Sequence, residues 1–365
     1  MSIEIIYKQN GFAPFFKAVS DKRVAVLYDV NTALYARPFC AQLCDAGCTV
    51  IEVYYTDVQL LPTEDKCARA QEAADHADYV LAVGSGTLND MAKSVATHAG
   101  IPSGVVPTAA SMDGYCSAGA ALMRAGFKVT DTVVPPAHVL VDADVIKTAP
   151  RMMTAAGFGD IVGKYTCLAD WQLSHLMNGE PIHREAFAMM EQAREACLGA
   201  YEGLVQNESG AVEKLTAALL KAGLSMALCG NSRPASGSEH HQSHYLEMDF
   251  ARRGEEIPPH GIKVGIGTLV SLWLYDYVRR ERVPCYNAGA VYALCETLPH
   301  WQDVRNLLVG LGCPVRFSEI GVREQTMRDM IRDAHTVRDR YTVLTLIHDL
   351  GLSEAVTPEI LQLFY

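Results

Sequence analysis

The stretch YVLAVGSGTLNDMAKSVA, residues 79–96, predicts a buried strand, a glycine-rich turn and a helix in direct succession. The strand covers Tyr79–Val83, and the helix begins near Asn89 with Asp90 in its first turn. Glycines let a backbone approach a ligand closely, and a helix N-terminus offers unpaired N–H groups to a pyrophosphate. A Gly-Ser-Gly sequence also occurs in ordinary tight turns, so the turn alone leaves both interpretations open.

The same alternation of strand and helix precedes this stretch. Arg23–Asp29 is a β-branched run typical of strands buried on both faces. Residues 31–46 have helical spacing, Cys48–Tyr55 is the next apolar run, and Pro62–His76 has a helical pattern. Strands and helices that alternate in units of about 30 residues predict a doubly wound, mostly parallel sheet. Its ligand should lie at the carboxyl ends of the strands.

A run of small residues follows the next short strand, Gly104–Val106. The run is PTAASMDGYCSAGAAL, residues 107–122, and Asp113 is its single acidic residue. It predicts either a packing seam or a loop whose small side chains leave room for a ligand. Its position directly after a strand favours the loop. Residues 133–144 predict a further strand region.

The second half of the chain has a different pattern. Long helical periodicities dominate, and β-branched runs are few; the predicted helices cover residues 161–177, 182–206, 212–228, 261–282 and 301–311. The sequence therefore predicts an α/β domain over residues 1–150 and an all-α domain over residues 151–365. Asp160 follows the predicted turn Gly157-Phe158-Gly159 and stands at a helix start, so an N-cap and a metal ligand are both open.

Length, composition and charge narrow the class of protein. The chain has 365 residues, a net charge of −11 and a pI near 5.5, which argue against nucleic acid or an anionic membrane surface as the main partner. No run of 18 apolar residues predicts a membrane span, and the N-terminus lacks a signal-peptide pattern. Eleven cysteines without a CxxC pair predict reduced thiols. We expect a cytoplasmic protein.

Histidines are concentrated in residues 236–261, SGSEHHQSHYLEMDFARRGEEIPPHG. This segment holds four of the twelve histidines, His240, His241, His244 and His260. On a helix, His240 and His244 lie one turn apart on the same face, and a histidine from a following loop could complete a shared site. A surface helix that carries several histidines is the alternative interpretation.

Five segments together resemble the sn-glycerol-1-phosphate dehydrogenase family. They are GSGTLND (84–90), PTAASMDGY (107–115), AGFGDIVGKYTCLADW (156–171), SGSEHHQSH (236–244) and HGIKVGIGT (260–268). The family belongs to the superfamily of glycerol dehydrogenase, iron-containing alcohol dehydrogenases and dehydroquinate synthase. The resemblance implies an NAD- or NADP-dependent, metal-dependent reduction of dihydroxyacetone phosphate to sn-glycerol 1-phosphate, a reaction of phospholipid metabolism. It also implies a homo-oligomer with its active site in the cleft between two domains.

The resemblance implies a role for individual residues. Asp160, His240 and His260 match the ligands of one divalent metal, for which we expect zinc, with nickel and iron as the alternatives. Asp113 and His244 match substrate-contacting, catalytic positions, while His241 matches no role. The dinucleotide-binding positions that match are Gly84, Ser85, Gly86, Thr87, Leu88, Thr108, Ala109, Ala110, Ser111 and Ser117.

Two other activities remain open at this point. One is a glycerol or other polyol dehydrogenase acting on an unphosphorylated substrate. The other is a dehydroquinate-synthase-like cyclase, which would need a cluster of lysines and arginines that residues 113–268 lack. A phosphorylated substrate needs cationic donors, and Arg233, Lys263 and Lys164 are candidates that could equally be surface charges. Asp29 would repel the 2′-phosphate of NADP if it faced the ribose.

Overall fold

A computed structural model describes residues 3–125 and 127–365, without the side chains of Phe127 and Lys128. The chain divides into two compact units. The first comprises residues 3–110, 114–150 and 207–216, and the second comprises residues 111–113, 151–206 and 217–365. Met1, Ser2 and Gly126 of the domain predicted over residues 1–150 lie outside the described residues.

A parallel sheet forms the centre of the first unit. The strands are β1 (Glu4–Tyr7), β2 (Arg23–Asp29), β3 (Thr49–Tyr55), β4 (Tyr79–Gly84), β5 (Ser103–Pro107), β6 (Gly119–Arg124), β7 (Phe127–Thr132) and β8 (His138–Val141). Six of them pair in the order β1-β8-β5-β4-β2-β3, and every pairing is parallel. β4 is buried along its whole length and β2 from its second residue onward, because helices cover a parallel sheet on both faces. The predicted doubly wound sheet is confirmed.

Five helices accompany this sheet. They are α1 (Ala13–Val19), α2 (Ala33–Asp45), α3 (Glu64–Asp75), α4 (Gly86–Ala99) and α5 (Ala143–Ile146). α4 begins three residues before its predicted start near Asn89. The antiparallel hairpin of β6 and β7 was not predicted, because its first strand lies in the run of small residues interpreted as a loop. Small residues have a weak preference for strands, so the strand conformation of β6 depends on its pairing with β7.

The second half of the chain is helical, as predicted. Its helices are α6 (Arg151–Val162), α7 (Lys164–Asn178), α8 (Arg184–Leu198), α9 (Tyr201–Val205), α10 (Ser209–Cys229), α11 (Ser238–Arg253), α12 (His260–Arg280), α13 (Ala288–Glu296), α14 (Trp301–Gly310), α15 (Glu324–Asp333), α16 (Val343–Asp349) and α17 (Ser353–Phe364). α12 is buried over most of its length and packs against α6, α11 and α14. Within residues 3–125 and 127–365, none of the helices is long and apolar enough to cross a membrane.

The predicted turn before Asp160 is wrong. Residues 157–160 belong to α6, and Asp160 lies in its last turn rather than at an N-cap. The glycines serve a close helix crossing: a Cβ on Gly261 would lie 1.8 Å from the Ala156 carbonyl oxygen, and one on Gly159 would lie 2.3 Å from the Gly261 carbonyl oxygen. Tertiary packing therefore outweighs the low helix propensity of glycine and brings Asp160 close to the start of α12.

Candidate metal and substrate site

Asp160, His240 and His260 meet in the second unit. Each offers one ligand atom, and these atoms lie within 4.8 Å of one another. Asp160 comes from the end of α6, His240 from the first turn of α11, and His260 is the first residue of α12. Asp160 Oδ1 lies 3.8 Å from His240 Nε2. One carboxylate and two imidazoles at this spacing suit a divalent cation such as zinc, nickel or iron.

The orientation of the His240 ring is fixed by Glu239. Nδ1 of His240 lies 2.7 Å from Glu239 Oε1, which also accepts the Gly237 N–H at 2.7 Å. Because Nδ1 faces a carboxylate, we assign its proton there, which leaves the Nε2 lone pair directed toward Asp160. Burial, with the charge of Asp170, raises the pKa of Glu239 to about 7. Burial and the charge of Lys164 lower the pKa of His240, so the imidazole is neutral, as a metal ligand must be.

His260 has a similar carboxylate partner. Its Nδ1 lies 3.1 Å from Glu247 Oε1 and 3.4 Å from Ser243 Oγ, which leaves Nε2 for a metal. His244, Glu247 and His260 form a second set of possible metal ligands. The Arg338 guanidinium lies 3.2 Å from His244 Nδ1, and this fixed positive charge opposes a cation there. The first set is therefore the better candidate for a metal site.

Lys164 is buried between two carboxylates. Its Nζ lies 2.7 Å from Asp113 Oδ2, 2.9 Å from Asp160 Oδ1 and 2.9 Å from the Ala235 carbonyl oxygen. Burial alone would lower the pKa of Lys164, but the charges of Asp113 and Asp160 raise it above its ordinary value. Burial and the charge of Asp160 raise the pKa of Asp113, and Lys164 opposes them. Asp113 also donates its backbone N–H to Asp160 Oδ2 at 3.0 Å, so the small-residue loop places Asp113 beside the metal site.

The other two histidines of the segment have different surroundings. The ring of His244 lies 6.1 Å from that of His240 and 5.8 Å from that of His260, centre to centre. Since Arg338 donates to His244 Nδ1, the neutral His244 ring carries its proton on Nε2. His241 is buried, and neither ring nitrogen has a hydrogen-bond partner among the described residues. Burial and the nearby charges of Arg340 and Arg338 lower its pKa to about 3.

The predicted dinucleotide-binding residues lie at the carboxyl ends of β4 and β5. Ser85 immediately precedes α4, and residues 85–87 are partly exposed. The Gly84 carbonyl oxygen accepts the Thr108 N–H at 3.2 Å, so the two predicted binding segments adjoin. Thr108, Ala109 and Ala110 are buried, whereas Ser111 and Ser117 are half-buried. Ser111 belongs to the second unit and the other predicted positions to the first.

Asp29 ends β2, the strand beside β4. Its Oδ1 accepts the backbone N–H groups of Asn31 at 2.9 Å and Thr32 at 3.0 Å. These bonds fix the carboxylate at the end of β2, next to β4, where the strand order of the sheet reverses. Doubly wound folds bind their ligands at this position.

The three phosphate-binding candidates taken from the sequence have other partners. Arg233 pairs with Glu180 at 3.0 Å, Lys263 lies 3.5 Å from Glu247 Oε1, and Lys164 pairs with two aspartates. Sequence reasoning missed Arg338 and Arg340, because the alternating charges of residues 322–341 predict a solvated helix face. That interpretation is wrong at its end, since α15 ends at Asp333, a 3-10 turn covers Ala334–Val337, and Arg338 is extended. The sequence feature that could have identified them is the order Arg-Asp-Arg. In an extended segment this order puts Arg338 and Arg340 on the same side.

Comparisons with known proteins show which family this chain resembles. The family model described as iron-containing alcohol dehydrogenase matches residues 10–150. A glycerol-1-phosphate dehydrogenase [NAD(P)+] from Bacillus licheniformis is 35% identical, with 93% of this chain and 86% of the relative covered. A protein of the same name from Pyrococcus furiosus is 33% identical, with 73% of this chain and 70% of the relative covered.

Solved structures support the fold. Glycerol dehydrogenase from Schizosaccharomyces pombe aligns with a TM-score of 0.72 at 16% identity, over 98% of this chain and 90% of that one. Maleylacetate reductase from Rhizobium sp. strain MTP-10005 aligns with a TM-score of 0.68 at 17% identity, over 97% and 96% of the two chains. At such low identity these alignments establish the fold alone. The sequence identity to the two relatives goes further: this chain belongs to the glycerol-1-phosphate dehydrogenase family.

Proposed function

We propose that this chain catalyses the reversible, NAD(P)-dependent reduction of dihydroxyacetone phosphate to sn-glycerol 1-phosphate, with one divalent metal. The observation that carries the proposal is the convergence of Asp160, His240 and His260, whose ligand atoms lie within 4.8 Å of one another. The relatives named glycerol-1-phosphate dehydrogenase [NAD(P)+] support the substrate and the cofactor.

The donor set fits a metal that keeps an open position. Asp160, His240 and His260 supply three ligands, and the carboxylates of Glu239 and Glu247 orient the two imidazoles. Such a set suits zinc, nickel or iron, and availability decides among them. A cation held there would polarise the ketone oxygen of the substrate, and the reduced nicotinamide would supply the hydride.

Three side chains around the proposed metal ligands would bind the substrate or hold the groups that bind it. His244 carries its proton on Nε2, so it can donate a hydrogen bond or a proton to the substrate oxygen as the ketone becomes an alcohol. Asp113 accepts from Lys164 at 2.7 Å and keeps further lone pairs for a substrate hydroxyl. Lys164 compensates the buried negative charge of Asp113 and Asp160 and holds both in place.

Most of the proposed dinucleotide contacts belong to the first unit. α4 begins at Gly86, inside the segment Gly84–Leu88, and its N-terminal N–H groups and positive dipole end suit a pyrophosphate. Thr108, Ala109, Ala110, Ser111 and Ser117 are the further proposed contacts, by family position. The carboxylate of Asp29 at the end of β2 would disfavour the 2′-phosphate of NADP, so we propose that NAD is the better cofactor.

The unphosphorylated-substrate alternative is not favoured by the comparisons. Relatives at 33% and 35% identity carry the glycerol-1-phosphate dehydrogenase name, whereas the glycerol dehydrogenase similarity is one of fold. A substrate panel on metal-defined enzyme tests the proposal, with dihydroxyacetone phosphate and dihydroxyacetone each offered with NADH and NADPH. We expect kcat/KM to be ~10- to 100-fold higher for the phosphorylated substrate, because a phosphate adds charge-assisted hydrogen bonds. Equal values would favour a polyol dehydrogenase.

A further inference from the structure

Two arginines of the second unit converge on one hydroxyl group. Arg338 Nη1 donates to Ser232 Oγ at 2.9 Å, and Arg340 Nη2 donates to the same oxygen at 2.8 Å. Arg340 Nη1 also donates to the Ser236 carbonyl oxygen at 3.1 Å. Two guanidinium groups are therefore held side by side, although their like charges repel each other.

The positive charge of this pair is poorly compensated. Among the described residues neither Arg338 nor Arg340 forms a direct ion pair, although both are half-buried. Burial lowers the pKa of Arg338, and burial with the charges of Arg338 and Arg233 lowers the pKa of Arg340 to about 10. The charges of Glu247 and Glu180 offset part of this positive charge from a distance. A half-buried pair of like charges with no carboxylate in direct contact is costly, and a bound anion would relieve that cost.

Unsatisfied polar atoms in the same region also indicate a ligand. In residues 3–125 and 127–365, Ser236 Oγ, Arg233 Nη1 and both ring nitrogens of His241 are buried and lack hydrogen-bond partners. Ser236 is 4% exposed, and the charges of Arg233, Arg338 and Arg340 all act on His241. Buried polar groups are normally paired, so unpaired donors beside a poorly compensated arginine pair point to a missing acceptor.

We propose that Arg338 and Arg340, together with Ser232, bind the phosphate group of the substrate. This inference rests on the proposed function and deepens it. Arg338 lies 3.2 Å from His244 Nδ1, and His244 lies beside the two metal-binding imidazoles. In dihydroxyacetone phosphate one methylene and one ester oxygen separate the carbonyl carbon from the phosphorus atom, so the phosphate must bind close to the metal.

The chemistry of the pair suits a phosphate. Guanidinium groups bind phosphate oxygens through two parallel hydrogen bonds, and they stay charged when partly buried. A protein with a net charge of −11 needs such a local positive site to accept an anionic substrate. Arg338 would also link the phosphate to catalysis, because it fixes the tautomer of His244. Ser232 would be shared by both arginines and would donate its own proton to the anion.

The test compares metal-loaded wild-type enzyme with Arg340→Gln, since Arg340 does not contact His244. The measured quantity is the ratio of kcat/KM for dihydroxyacetone phosphate to kcat/KM for dihydroxyacetone. We expect this ratio to fall by ~10- to 100-fold, and inhibition by inorganic phosphate to weaken in parallel. Arg340→Lys keeps the positive charge but loses the two parallel hydrogen bonds of the guanidinium group, so it should give an intermediate ratio. If Arg340→Gln does not fold, Arg340→Lys takes its place in the test.

The matched control is Arg332→Gln on α15, because Arg332 is exposed and already paired with Asp329 and Asp333. Its ratio should equal that of the wild type. An unchanged ratio in folded Arg340→Gln would overturn the phosphate subsite while leaving the proposed function intact. A wild-type enzyme that reduces neither substrate would instead contradict the proposed function. In that case calorimetry with inorganic phosphate would still test the subsite. Loss of phosphate binding in Arg340→Gln would support the proposal, and retained phosphate binding would overturn it.

Discussion

Nζ of Lys164 lies 2.9 Å from Oδ1 of Asp160, a proposed metal ligand. The same ammonium group lies 2.7 Å from Asp113 Oδ2, so it compensates two buried carboxylates at once. A metal bound to Asp160 would share this task. The stability of the site should therefore depend jointly on Lys164 and on the metal.

Lys164→Met should destabilise the metal-free protein by about 3–5 kcal/mol, because it leaves two buried carboxylates uncompensated. Added metal should restore part of the loss. The measurement is the free energy of unfolding in urea, with and without metal. Lys221→Met, at an exposed position of α10, is the control and should change it by less than about 0.5 kcal/mol. An equal loss of unfolding free energy with and without metal would show that Lys164 and the metal do not stabilise the same carboxylates.

Replacing either proposed imidazole ligand should abolish tight metal binding. Loss of a residue that only hydrogen-bonds to a metal ligand lowers metal affinity by ~10- to 100-fold. We expect His240→Ala and His260→Ala to lower metal affinity by more than this, because each removes a ligand. His241→Gln should retain the wild-type metal content, because its ring lies outside the ligand set. Elemental analysis of the purified variants checks this. Metal loss in His241→Gln, or its retention in His240→Ala, would contradict the assignment.

The sheet could be predicted from sequence because each strand carries its own signal. Runs such as Val24–Tyr28 and Tyr79–Val83 are continuously apolar, and the helices between them leave only parallel pairing. The β6–β7 hairpin and the helical conformation of residues 157–160 depend on contacts with distant segments. In the second case the close approach of Gly261 to Ala156 decides the conformation, and local propensity does not show it.

The candidate site was partly predictable for a similar reason. The histidine segment and Asp160 could be matched to a family by motif, and the structure brings them together. The carboxylates that orient the rings, Glu239 and Glu247, lie in the same segment, but spacing alone does not show which imidazole each contacts. Arg338 and Arg340 are far from the motifs in sequence and reach His244 and Ser232 only through the fold.

His244→Ala should lower turnover by ~10²- to 10⁴-fold, the usual contribution of a positioned proton donor. Metal content should stay at the wild-type level, because His244 is proposed to contact substrate rather than metal. Initial rates and elemental analysis on the same preparation measure both. The exposed His76 provides a control, since His76→Ala should keep wild-type turnover. Loss of metal in His244→Ala would reassign His244 as a ligand.

Gly261→Ala should destabilise the protein by about 3 kcal/mol or more, because the new Cβ would lie 1.8 Å from a backbone oxygen of α6. It should also weaken metal binding, since the crossing of α6 and α12 sets the spacing of Asp160 and His260. Gly289→Ala in α13 meets nothing within 4 Å and should be neutral or stabilising. Thermal unfolding with a metal titration measures both effects. A Gly261→Ala variant of unchanged stability would show that the crossing can relax.

The most direct test of the proposed function is the identity of the product formed from dihydroxyacetone phosphate by the metal-loaded enzyme. The glycerol phosphate produced is measured against NAD(P)H consumed and is then offered to a dehydrogenase specific for sn-glycerol 3-phosphate. We predict one glycerol phosphate for each NAD(P)H, metal-dependent formation, and a product that the second enzyme leaves unoxidised. A product that is fully oxidised, or no NAD(P)H consumption with this substrate, would contradict the account.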